Sequence, residues 1–152
     1  MNIVVIGRQS EQPTRGEVST QPSHRRSELG LEFLSVDLVS SKTVVREQED
    51  MVRRFVKSLV EAIPIYKNNR KQSLAIMAKY LRGTDAKVIE AGYNFTSDLY
   101  ERKPYPAVNA IRWALDNAIR NPKAKTAKTE EFYDDRFVKE LDQSGFIDGL
   151  YR

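Results

Sequence analysis

The 152-residue chain contains no cysteine. Disulfides, thiolate nucleophiles and sulfur-based metal sites are therefore excluded. A single histidine, His24, sits in a polar stretch near the N-terminus, which removes histidine-based triads and the usual zinc ligand sets. No apolar run approaches the ~20 residues that a membrane span requires. The opening MNIVVIG is a short apolar patch without a basic flank, so no export signal is expected in the chain as written. Spaced carboxylate pairs are missing too. Asp134 and Asp135 are adjacent, point in different directions and read as helix caps better than as an acid and base. With no catalytic constellation, the expectation is a protein that is not an enzyme and that needs no cofactor or metal.

An excess of one charge is also lacking. The 25 basic residues face 21 acidic ones, for a net charge of +4. Mixed charge of this kind describes a solvated surface, and nucleic acid is not an expected partner. Lys123, Lys125 and Lys128 have no acid between them, but no aromatic is interleaved, so the segment reads as a solvated loop.

What the chain does have is a soluble globular composition, 40% hydrophobic and 30% charged, in a length that suits one domain. Residues 1–27 combine a strand-like start with a Gln/Ser/Thr/Pro/Arg-rich run and read as a flexible arm. Residues 31–45, LEFLSVDLVSSKTVV, alternate and then return to β-branched residues, which predicts one or two extended segments broken at Ser40-Ser41-Lys42.

The rest is helical in pattern. Residues 50–81 predict a helical hairpin. Val52, Phe55, Val56, Leu59, Val60 and Ile63 form the first apolar face, Pro64 marks a kink or an end, and KNNRK is the turn. Leu74, Met77, Ala78 and Leu81 line the second helix. Thr84 or Asp85 caps a third, bent helix carrying Val88, Ile89, Phe95 and Leu99, with Tyr93 and Tyr100 at the core edge. A fourth starts after KPYP with Val108, Ile111, Leu115, Ala118 and Ile119 inward and Trp113 off the stripe. The last helix presents Phe137, Val138 and Leu141, and Gly145 suits a left-handed cap.

As a set, these segments resemble the C-terminal part of the periplasmic solute-binding proteins of ABC importers, in the nitrate/sulfonate/taurine and thiamine-precursor group. The resemblance runs over residues 28–152 through VRRFVKSLVEAI, SLAIMAKYL, KPYP, NPKAK and, most specifically, DDRFVKELDQSGFID. It implies a fragment of a two-lobe α/β periplasmic-binding-protein fold (type II), here mostly α with a short β element. It further implies capture of a small organic or anionic solute, such as a sulfonate, nitrate or pyrimidine-type ligand, an ABC permease as membrane partner, and a periplasmic or extracytoplasmic location. The family chain is about twice as long, so the resemblance implies a truncated copy. Ser40, Ser41, Lys42 and Thr43 lie nearest the implied hinge and cleft and are the candidate ligand contacts. Apolar helix faces left without their sheet imply self-association. The alternative is a free-standing helical interaction module that binds a partner helix through the stripe at 52–63.

Overall fold

The computed structural model describes residues 38–152. Helical segments make up 68% of these residues and no strand occurs among them, so the described part is an all-helical packing. The expected extended pieces before residue 38, and the N-terminal arm, lie outside the described residues.

Seven α-helices follow in order: α1 Lys42–Glu47, α2 Glu49–Asn68, α3 Arg70–Tyr80, α4 Ala86–Ser97, α5 Val108–Asp116, α6 Arg136–Gln143 and α7 Phe146–Gly149. Two 3-10 segments, Pro122–Thr126 and Thr129–Glu131, lie between α5 and α6. The first helix corrects the β expectation for Thr43, Val44 and Val45. The Ser41 hydroxyl accepts the Val44 amide at 3.2 Å as an N-cap, and Val45 is buried against α2. A cap plus a packing surface outweighs the weak strand preference of β-branched residues.

α2 is the spine. At 20 residues it spans about 30 Å. Val52, Val56, Val60 and Ile63 are buried along one side, while Phe55 and Leu59, expected on the same face, are exposed. The helix also runs through Pro64 to Asn68 without ending near Ile63. Its final turn is held from outside: the Tyr93 hydroxyl donates to the Tyr66 and Lys67 carbonyls at 3.1 and 3.2 Å, and the Ser73 hydroxyl donates to the Tyr66 carbonyl at 3.0 Å. These hydroxyls satisfy carbonyls that a helix end otherwise leaves open.

The principal core joins the two ends of the described chain. Val45, Val52, Val56 and Val60 pack with Phe137, Val138 and Ile147. Gly145, at φ 75°, makes the left-handed turn between α6 and α7 that lets Ile147 reach this core. A smaller cluster of Ile111, Leu115 and Ala124 fastens the Pro122–Thr126 segment onto α5, so this stretch is folded and not a loose linker. α3 and α4 pack on each other and bury little: Ile89, Tyr93 and Ser73 are inside, whereas Val88 and Phe95 face outward. Ile119, expected on the inner face of α5, lies beyond its end and is 94% exposed.

Candidate functional site

The four candidate ligand residues fall at the start of α1. Ser40 is half-buried ahead of the helix, and the Ser41 hydroxyl is engaged by the Val44 amide. Lys42 and Thr43 occupy the exposed first turn and line an open cleft of roughly 560 Å3. Its opposite wall comes from far along the chain, through Glu130, Glu131 and Tyr133. The structure therefore separates the four: two line the cleft, and one is a cap.

The floor of the cleft is an ion-pair chain that sequence spacing alone did not assemble. Arg136 forks onto Asp134, with Nε at 2.9 and 3.1 Å from the two carboxylate oxygens and Nη2 at 2.8 Å. Its Nη1 lies 3.7 Å from Glu49, Glu49 accepts Arg53 at 2.8 Å, and Arg53 also pairs with Glu140. Both guanidiniums lie over the Phe137 ring, at 5.2 and 5.4 Å from its centroid. Burial by itself would raise the Asp134 carboxyl. The Arg136 fork and the Arg136 amide outweigh it and hold the group below its usual range, while the same fork raises Arg136. One signal was available in the sequence, the i,i+4 spacing of Glu49 and Arg53. The Glu49–Arg136 contact, across most of the chain, had none.

These floor groups pair with one another, two guanidiniums against the three carboxylates of Asp134, Glu49 and Glu140, so one negative charge is in excess. Outside that chain the cleft is lined by the Lys42 ammonium, the Arg46 guanidinium (paired with Glu47), the Thr43 and Tyr133 hydroxyls and the Glu130 and Glu131 carboxylates. Opposite charges on two walls suit a small polar solute bearing both signs, or an anion at the Lys42 side. Among the described residues no group of three or more His, Asp or Glu residues is placed to hold a metal.

A second polar cluster ties the loop before α5 to the C-terminal helices. Lys103 Nζ is 2.6 Å from Asp142, the Tyr105 hydroxyl donates to Asp142 at 2.8 Å, and Arg102 meets Asp148 at 2.9 Å. The bonds from Lys103 and Tyr105 hold the Asp142 carboxyl low. Tyr105 is raised, first by burial and then by its bond to Asp142. Every charged member is matched, which makes this cluster a brace.

Comparison with protein-family models, with curated proteins and with solved structures finds no match for this chain.

Proposed function

We propose that this chain is the C-terminal part of a solute-binding subunit of an ABC importer, a helical layer that works with a sheet-bearing partner lobe to close on a small solute. The observation that carries the reading is the outer side of α2. Met51, Phe55 and Leu59 recur at four-residue spacing and are 46%, 51% and 38% exposed, on the flank of the side that fills the core. A monomer gains nothing by displaying such a row, whereas a layer that covers another surface needs it. The sequence resemblance over residues 28–152 names the surface: the sheet of a periplasmic-binding-protein lobe.

In this role the chain makes and breaks no bonds. Lys42 and Thr43 meet the solute from the α1 side, Ser41 fixes the turn that presents them, and closure of the second wall supplies the remaining contacts. An anionic or zwitterionic ligand (a sulfonate, nitrate or pyrimidine-type solute) matches the Lys42 ammonium. The permease partner and an extracytoplasmic place of action come with the family resemblance.

Thermal unfolding of the purified chain with and without taurine, nitrate and an aminopyrimidine tests the reading. A solute-dependent rise in Tm that disappears in Lys42→Ala supports it. No shift with any solute, together with cooperative unfolding of a monomer, favours the free-standing interaction module. The free face of that module would be Met51, Phe55 and Leu59, because Val52, Val56, Val60 and Ile63 are already used inside.

A further inference from the structure

The links that hold α3 and α4 to the end of α2 form a closed circle. The Tyr66 and Thr96 hydroxyls share a hydrogen bond at 2.5 Å, and the Tyr93 hydroxyl donates to the Tyr66 and Lys67 carbonyls. Lys67 Nζ donates to the Tyr100 carbonyl at 2.7 Å, and Arg70 pairs with Glu90. The Tyr66 ring lies 5.1 Å from that of Tyr93 and meets Tyr100 edge-on at 5.4 Å. Each of these partners lies within residues 66–100. The ties from α4 to α2 land on Tyr66 and Lys67, both beyond Pro64.

The apolar cores lie elsewhere. Among the described residues, the principal core draws its buried members from 45–60 and 137–147, and the smaller one from 111–124. Residues 66–100 bury Ser73, Ile89 and Tyr93 and leave Ile76, Tyr80, Leu81, Val88 and Phe95 exposed. The stretch also has a boundary at each end. Pro64 has no N–H to give the Val60 carbonyl, so the α2 ladder lacks a rung there. On the far side, Arg102 and Lys103 are tied to Asp148 and Asp142 of the C-terminal helices.

We infer that residues 66–100 are a latched arm, which opens and recloses as one unit while the body of the fold stays shut. A segment that buries few apolar side chains and is held by polar links opens at a lower free energy than the core does. The hydroxyls of Tyr66, Tyr93 and Thr96 are the latch, and the missing rung at Pro64 is where α2 parts. The cleft stays with the body, because its lining residues fall within 42–49 and 130–136. Release of the arm therefore leaves the cleft assembled.

Hydrogen–deuterium exchange of the full chain, read by mass spectrometry at rising urea below the unfolding transition, tests the arm. Amides of α3 and α4 should exchange together and faster than those of 52–60 and 137–142. Their urea dependence should be weaker, because opening the arm exposes less surface. Variants separate the two openings. Val138→Ala, in the body, raises the closed and arm-open forms alike, so it should speed exchange at 52–60 about tenfold and leave α3 and α4 unchanged. Ile147→Val is a milder form of the same test, at about threefold. Tyr93→Phe, in the latch, raises only the closed form, so it should speed both sets about fivefold. One common rate and urea slope for all these amides in the unaltered chain would overturn the inference. Acceleration of α3 and α4 by either body variant, to the same degree as 52–60, would do so too.

Discussion

Tyr93 closes the C-terminal turn of α2 through its hydroxyl, and Tyr93→Phe removes that closure while keeping the ring. The Tyr66 carbonyl retains the Ser73 hydroxyl, so only the part-buried bond to the Lys67 carbonyl is lost without a replacement. The expected cost is about 1 kcal/mol in urea unfolding. Phe137, buried beneath two guanidiniums, is a larger loss: Phe137→Ala should cost about 3–5 kcal/mol and free Arg53 and Arg136 from their common platform. Sequence reading placed Phe137, Val138 and Gly145 correctly because the spacing there is local. It missed the role of Tyr93, whose bonds reach 26 and 27 residues back along the chain. At the candidate site it named Lys42 and Thr43, which line the cleft, but not the wall facing them. A cleft made from α1 and the segment before α6 has no contiguous signature.

At the scale of elements, the decisive turns are the cap at α1 and the left-handed link between α6 and α7. Ser41→Ala should cost about 1 kcal/mol by leaving the Val44 amide unmatched. Gly145→Ala meets no atom within 4 Å, so its whole effect is the strain of a positive φ, about 1–2 kcal/mol. Chemical denaturation of each variant reads both values. The helical elements over 50–81 and 134–149 were legible from their period, although α2 and α6 start without a side-chain cap bond and Phe55 and Leu59 lie outside the core. The β expectation at 43–45 failed because local preference in a six-residue segment yields to burial of Val45. Pro64 failed to end α2 for a related reason: it is itself buried, and the turn beyond it is secured by α3 and α4.

For the molecule as a whole, acid and alkali act on the same braces from opposite sides. Asp134 and Asp142 have folded-state pKa values below their unfolded ones. Their contribution is fully present above the unfolded value of about 4 and is lost as pH falls through the folded values. Tyr105 is raised, so its contribution is present below about pH 10 and is lost as pH rises through its folded value. Tm measured across pH should therefore form a plateau between these limits. Asp142→Asn should remove its own part of the acid shoulder and reduce the alkaline one, while the Asp134 part and the burial of Tyr105 remain.

The principal core also sets an order of events during synthesis. Val45, Val52, Val56 and Val60 are made well before their partners Phe137, Val138 and Ile147. Closing a core over that sequence distance is slow, and it cannot begin until those partners have left the exit tunnel. Until then α2 is an amphipathic helix with its apolar side open, which is the state a holding chaperone recognises. Residues 137–147 thus serve as the closing piece for helices made nearly a hundred residues before them.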